Sequence, residues 1–580
     1  MTASPLSQPT HEIQVEHGVP VPMRDGTILR ADVYRPRDEG RFPVLVERVA
    51  YELTRRCKAN AEYYASRGYV FVGQNVRGKY GSEGAFRVGF DDGWGANQDG
   101  YDTVEWIAAQ PWSNGAVGTV DGSYSGMTQY LLAPTRPPHL KAMFVRQGIG
   151  DVYRDFFFRG GTLQMTMAQM WAMRQTLLTL EHETAPPGME AERDRLAKAV
   201  EDLEAWYSHL PLKSLPPLAG LSDWYSEVLD NPSDGPYWWP VSLSLRFQDV
   251  DTPILHLGSW FDALLGSTLR CFVGIQRKGR TEACRTGQRL VIGPWLHGRI
   301  GRREVGEMDF GPEAEFDLPE FRLRWFDHWM KGVETGAMDG PPVRIFLMGE
   351  NRWLDLDAWP PPGVSYEPVY LREGTGPSAD SLNNGLLTSA RPRAAERPDA
   401  FVYDPEDPVE SQIRYPELGP RDHRDVEGRL LTYTSQALER DLPVVGPIRA
   451  VLYGLSSAPD TDWVVRLCDV WPDGRSMSVS DGILRGRYRN SLEIPELMSP
   501  NHVYRFEVEM GATAQVFKAG HRLRVHVTSS DFPRYDKNLN TGGPFGEEVR
   551  GQVAVNTVFH DALRESCLIL PVMVEDASSG

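Results

Sequence analysis

A serine, an aspartate and a histidine stand out in this sequence, because each sits in a local context that could serve chemistry. Ser123 lies in Val117-Gly118-Thr119-Val120-Asp121-Gly122-Ser123-Tyr124-Ser125-Gly126-Met127. An apolar β-prone run ends there in a cluster of tiny residues and restarts, over Met127 to Ala133, as helix-prone sequence. A strand, a sharp turn and a helix expose a hydroxyl at the apex, and small neighbours let strand and helix pack closely. The following helix N-terminus brings N–H groups and partial positive charge to where an oxyanion would form. Ser125 is the rival hydroxyl, but it would place bulky Met127 two residues on, where close approach is needed. Asp121 stands two residues before Ser123, where such elbows usually carry glycine, so the elbow geometry is open. The plain alternative is a Gly/Ser turn without chemistry.

A serine hydroxyl is a weak nucleophile until a base takes its proton, and the base needs an acid to orient it. For a nucleophile on such an elbow the chain order is serine, acid, histidine. Asp262 follows an apolar run in Gly258-Ser259-Trp260-Phe261-Asp262, and His297 follows another in Gly293-Pro294-Trp295-Leu296-His297-Gly298. Each has a bland reading alone. Asp262 could cap a helix starting near Ala263, and a lone histidine is usually structural. Three hits in the right order and context favour a triad.

The elements that must position these residues alternate. An N-terminal hairpin over Ile13 to Tyr34, buried strands at Phe42 to Val49 and Tyr69 to Val76, and a helix over Glu52 to Ser66 come first. A helix at Asp99 to Gln110, the elbow, and a strand at Leu140 to Val145 follow. Strands alternating with helices predict a mostly parallel, doubly wound sheet. From 151 to 240 the texture is helical, and Leu163, Met167, Met170 and Trp171 recur at helical spacing. The α/β texture then returns over 241–341. It holds a strand at Pro253 to Gly258, a helix at Leu264 to Lys278, a strand at Gln288 to Ile292 and a helix at Phe316 to Lys331. Over 342–580, short alternating runs broken by Gly, Pro and Asp predict an all-β sandwich or jelly roll, starting with Val343 to Met348. Arg372 to Asp399 reads as a long loop, and Met1 to Glu12 as a loose tail.

At 580 residues the chain needs several cores. A net charge of −18 argues against a nucleic-acid partner, whose phosphates demand a basic footprint. The five cysteines show no C-x-x-C spacing and read as buried free thiols. Neither a secretory leader nor an apolar run of about 18 residues is visible, so the expectation is a cytoplasmic protein with no membrane contact. No H-E-x-x-H, EF-hand loop or phosphate loop appears, so no metal and no cofactor is expected. Assembly with further copies of itself is left open.

Several motifs together resemble the cocaine esterase/X-Pro dipeptidyl-peptidase family of serine hydrolases. They are Val-Gly-x-x-x-Gly-Ser-Tyr-x-Gly at the elbow, Trp260-Phe261-Asp262, Ile292-Gly293-Pro294-Trp295-x-His297, Val76-Arg77-Gly78-x-x-x-Ser82-Glu83-Gly84, and Ser529-Ser530-Asp531-Phe532-Pro533-Arg534. The resemblance runs from about Val19 to Val572. It implies an α/β-hydrolase domain (1–150 and 241–341), an inserted helical cap (151–240) and a jelly-roll domain beside the site (342–580). It also implies Ser123 as nucleophile, His297 as general base and acid, and Asp262 as its orienter. The oxyanion hole would be the Tyr51 hydroxyl with the Tyr124 N–H.

The family includes ester and amide hydrolases, and some members bind a free α-amine. Amine recognition requires buried carboxylates, because an unpaired ammonium is costly to desolvate. The neighbours of Asp262 are Trp260, Phe261, Ala263 and Leu264, with no second acid; in the cap, Glu181 and Glu183 are the candidates. By the resemblance, Trp171 with Leu264 and Phe261 would line an apolar acyl pocket. The expected activity is hydrolysis of small-molecule esters with neutral, apolar or aromatic acyl groups through an acyl-enzyme. The rival is an X-Pro dipeptidyl-peptidase or an amidase using the same triad.

Overall fold

The computed structural model describes residues 6–413 and 419–573. Its first sheet contains β1 (Ile13–Pro22), β2 (Ile28–Pro36), β3 (Phe42–Val49), β4 (Val70–Asn75), β5 (Ser113–Thr119), β6 (Leu140–Gly148), β7 (Ile254–Phe261), β8 (Arg289–Leu296), β9 (Val343–Leu347) and β10 (Arg352–Leu356). The strands lie in the order β1-β2-β4-β3-β5-β6-β7-β8-β9-β10. β1, β2 and β4 pair antiparallel, the strands from β4 to β9 pair parallel, and β10 returns antiparallel along β9. The helices are α1 (Leu53–Ala65), α2 (Asp99–Ala108), α3 (Tyr124–Leu132), α4 (Met165–Glu181), α5 (Glu190–Glu201), α6 (Leu203–Tyr207), α7 (Asp223–Asp230), α8 (Leu265–Lys278), α9 (Glu282–Thr286) and α10 (Leu318–Lys331), with a single turn, α11 (Arg424–Glu427), later in the chain.

The central strands read as unbroken apolar runs because helices cover both faces. Side chains alternate between the faces with period two. Val44, Val46, Val70, Val72 and Val145 join one core with Ile107 of α2, Tyr130 of α3 and Ile275 of α8. Leu45, Val49, Phe71 and Phe144 join the other, with Tyr64 of α1 and Phe326 of α10. The residues between β6 and β7 form a helical layer, α4 to α7, entered through a π-helical turn at Val152–Phe157. Its core is aromatic, holding Phe156, Phe157, Trp171, Trp224 and Trp238.

A second, all-β sheet of 11 strands spans Val364 to Met573. It packs beside the acid-bearing strand: Trp260, Leu265 and Phe346 share an apolar cluster with Val445, Ala512, Ala514 and Val516.

Three expectations need correction. Val343 to Met348, read as the start of the β domain at 342, forms β9 of the first sheet, parallel to β8. An apolar run of this kind does not encode which sheet it joins, and the chain crosses here, since Met348 bridges to Gln515 of the second sheet. Arg372 to Asp399 is not loop throughout, because Gly385–Thr388 is a strand. The described part of the N-terminal segment is tied down rather than loose: Ser7 N–H donates to Asp327 at 2.7 Å and His11 N–H to the Ser66 carbonyl at 3.0 Å. Residues 1–5 lie outside the described residues.

Candidate active site

Ser123 stands immediately before α3 with φ 60° and ψ −121°, a conformation that costs a non-glycine residue energy. The segment Gly122–Ser123 pairs with Arg146 and Gly148 of β6, so the turn is pressed against the neighbouring strand. A Cβ on Gly122 would lie 1.9 Å from the Arg146 carbonyl oxygen, and one on Gly126 2.7 Å from the Gly148 Cα. The tiny residues therefore set the distance between α3 and β6. Ser125 points elsewhere: its Oγ is fully buried and donates to Glu47 Oε1 at 2.9 Å.

His297 follows the last residue of β8, and Asp262 the last residue of β7. His297 Nε2 lies 3.0 Å from Ser123 Oγ, and Nδ1 lies 3.1 Å from Asp262 Oδ1. With the proton on Nδ1, the imidazole donates to the carboxylate and accepts from the serine. The Asp262 carboxylate also accepts the Leu264 N–H at 3.0 Å, so it holds its own turn while facing the histidine. The helix that the alternative reading would have it cap starts at Leu265. Gly293 to Leu296, beyond the strand expected over Gln288 to Ile292, extend β8 and deliver His297 from a strand end.

Gln147 holds this arrangement from beneath. It is fully buried on β6 with φ 50°. Its Nε2 donates to Ser259 Oγ at 2.9 Å and to the Leu296 carbonyl at 3.1 Å, and its Oε1 accepts the Gly298 N–H at 2.8 Å. One amide thus joins the strand before the acid to both sides of the histidine. The sequence carried a signal for it, a polar residue inside an otherwise buried run.

Asp121, whose presence left the elbow geometry open, adopts φ 83° itself. Its carboxylate is held by Arg146 at 2.5 Å, Arg56 at 3.3 Å, Arg322 at 3.5 Å and Asn60 Nδ2 at 2.7 Å. These guanidinium groups keep it ionised well below the usual carboxylate range despite complete burial. Its neighbour Glu47 behaves oppositely: burial and the Asp121 charge push it up to about 7.

Above the elbow lies an aromatic wall. The Tyr124 ring stacks near Phe86 at 6.1 Å and Trp171 at 6.1 Å, and meets Tyr51 edge-on at 6.2 Å. The Tyr51 hydroxyl accepts from Trp171 Nε1 at 3.3 Å, and Asn75 Nδ2 anchors the Tyr51 carbonyl at 2.7 Å. Burial raises the Tyr51 pKa, which keeps its O–H as a donor. Leu264 belongs to the same cluster as Trp171. Phe261 does not; it packs against Phe310 at 5.8 Å in the cluster shared with the second sheet. Phe261 is the last residue of β7, and Leu264 lies beyond the turn that follows it, at the N-cap of α8. Phe261 lines instead, with Trp260, Asp262 and Ala263, a polar cavity of about 470 Å³ between the helical layer and the second sheet. Phe86 and Trp224, absent from the sequence-based pocket, complete the wall through ring contacts to Trp171.

A doubly wound parallel sheet with a serine on a strand–helix elbow, and an acid and a histidine at the ends of the next strands, defines an α/β-hydrolase. Residues 25–299 match the X-Pro dipeptidyl-peptidase (S15 family), and residues 335–569 match the X-Pro dipeptidyl-peptidase C-terminal non-catalytic domain. Cocaine esterase of Rhodococcus sp. (strain MB1 Bresler) is 35% identical over 96% of this chain and 98% of its own. A solved α-amino acid ester hydrolase, 25% identical, aligns with a TM-score of 0.81 over 97% of both chains. An aminopeptidase from a Thaumarchaeota archaeon, 24% identical, shares the fold with a TM-score of 0.80 over 98% of both chains. The chain belongs to the cocaine esterase/X-Pro dipeptidyl-peptidase family.

Proposed function

We propose that this chain is a serine esterase that cleaves carboxylic esters through an acyl-enzyme. The observation that carries this reading is His297, within hydrogen-bond reach of Ser123 on one ring nitrogen and of Asp262 on the other. Ser123 Oγ attacks the ester carbonyl as its proton passes to His297 Nε2, and Asp262 steadies the imidazolium. The oxyanion is received by the Tyr51 O–H and the Tyr124 N–H. His297 then protonates the departing alcohol, and a water activated by the same imidazole releases the acid. No step draws on a metal or a cofactor.

The aromatic wall of Phe86, Tyr124 and Trp171, with Leu264, suits neutral, apolar or aromatic acyl groups. The acids at the base of the helical layer are already engaged: Asp155 and Asp151 pair with Arg270, and Asp151 also accepts from Ser242 and Ser244. Glu181 and Glu183 are exposed at and beyond the end of α4. None of these offers a free buried carboxylate for a substrate ammonium. All five cysteines are buried and unbridged, which supports a reducing, cytoplasmic setting. Among the described residues no helix is long and apolar enough to cross a membrane.

The test compares a neutral aromatic ester, 4-nitrophenyl benzoate, with a Gly-Pro anilide, and uses Ser123→Ala as the control. Ester turnover that vanishes in the variant, with the anilide untouched, supports the reading. Preferential anilide cleavage would replace it with the X-Pro dipeptidyl-peptidase.

A further inference from the structure

One buried charge near the aromatic wall is left unexplained by hydrolysis of neutral esters. Lys79 follows β4 in Val76-Arg77-Gly78-Lys79 and is 5% exposed. No carboxylate pairs with it among the described residues. Its Nζ donates to Thr179 Oγ1 at 2.9 Å and sits 4.4 Å from the centre of the Phe86 ring. A hydroxyl and a ring face satisfy an ammonium only in part, and an ammonium buried without an anion costs several kcal/mol. Burial alone lowers its pKa to about 8, so it is still largely protonated at neutral pH.

The surroundings connect this charge to the site. Phe86, which lies under the ammonium, is also the ring stacked near Tyr124 and tilted against Trp171. On α4, Trp171, Gln175 and Thr179 follow one another at four-residue spacing and so share a face. The contacts of Trp171 with Tyr124 and of Thr179 with Lys79 fix that face as the one turned toward the site. Between them Gln175 is 6% exposed, and its Oε1 has no hydrogen-bond partner. Because amide oxygen and nitrogen can exchange places by rotation, Gln175 can present an N–H as readily as a carbonyl. The wall thus runs from aromatic rings to an amide and an unpaired ammonium.

We propose that Lys79, with Gln175, receives a carboxylate at the far end of the acyl group, so that the enzyme also takes half-esters of dicarboxylic acids. The chain of the acyl group would lie along Phe86 and Trp171 while its terminal carboxylate replaces the missing counter-ion of Lys79. This rests on the esterase reading and extends its acyl range.

The experiment measures kcat/KM for the mono-4-nitrophenyl esters of succinate, glutarate and adipate. Each is compared with the same compound methylated on its free carboxylate. The wild-type enzyme is expected to favour at least one half-ester over its methylated partner by tenfold or more, with the gain mainly in KM. Lys79→Met should bring the two to equal kcat/KM, and Lys79→Arg should retain part of the preference. Favouring the methylated ester at every length overturns the proposal on the wild-type protein alone, whether or not the variants fold. A preference that persists in Lys79→Met overturns it too. Turnover of methylated esters that Ser123→Ala removes shows that the esterase reading stands in either case. No turnover of any ester overturns both.

Discussion

Gln147 and Gly298 are joined by a hydrogen bond from the glycine N–H to the glutamine Oε1 at 2.8 Å, across 151 residues of chain. The same amide reaches Ser259 and the Leu296 carbonyl, so the loop bearing His297 and the strand preceding Asp262 share one anchor. Gln147→Leu would leave the Gly298 N–H without its acceptor and free the imidazole to drift. Misplacement by about 1 Å can cost on the order of a hundredfold in rate. We expect kcat to fall about 10- to 100-fold with KM changed by no more than about threefold, and circular dichroism to show a folded protein. A KM effect as large as the kcat effect would instead place Gln147 in substrate binding.

Tyr51 offers a second split of this kind. Its hydroxyl accepts from Trp171 Nε1, which leaves its own proton free to donate, as the proposed oxyanion hole requires. Removal of one donor from an oxyanion hole costs about 10²- to 10³-fold in kcat. Tyr51→Phe should show a loss of that order in steady-state ester hydrolysis with KM little altered. A loss under about threefold would assign the stabilisation to other groups.

How far this site is legible in the sequence depends on how local each signal is. Ser123, Asp262 and His297 each sit beside a turn that advertises itself through glycine, proline or tiny residues, and their order along the chain matches the order of strand ends. Gln147, Phe86 and Lys79 take their meaning from partners far away in sequence. A glutamine near the end of the buried strand Leu140–Gly148 signals burial without revealing what it holds. The doubly wound sheet was readable because both-face burial writes continuous apolar strands. Val343–Leu347 was misassigned because β9 stands where the chain leaves one sheet for the other, and propensity is the same on either side. Phe261 and Leu264 are near in sequence, but the turn between the end of β7 and the start of α8 puts them in different clusters.

The elbow makes a steric prediction. A methyl group on Gly122 would meet the Arg146 carbonyl oxygen at 1.9 Å, a backbone atom of the central sheet that cannot step aside. Gly122→Ala should lower the melting temperature sharply or fail to yield soluble protein. Gly266, near the start of α8, has nothing within 4 Å of its hypothetical Cβ. There the alanine variant should gain about 0.5–1 kcal/mol from the reduced freedom of the unfolded chain. Equal melting temperatures for the two variants would contradict the close packing of α3 on β6.

The charged layer beneath the elbow predicts a pH dependence of stability. Glu47 accepts from Ser125 Oγ at 2.9 Å and lies 3.0 Å from Arg56 Nε, yet burial, then the Asp121 charge, push its pKa up to about 7. In the unfolded chain it would titrate near its ordinary value of 4.5. Between these two values the folded protein keeps a proton that the unfolded chain releases. The stability contributed by this proton is therefore complete below about 4.5 and is lost as pH rises through about 7. Glu47→Gln keeps a hydrogen-bonding side chain of the same shape that cannot titrate, so it removes this slope and no other. Thermal unfolding of both proteins at pH 5 and pH 7.5 checks this. The melting temperature of the wild type should fall relative to that of the variant across the interval, and a constant difference would mean that Glu47 is already ionised at pH 5.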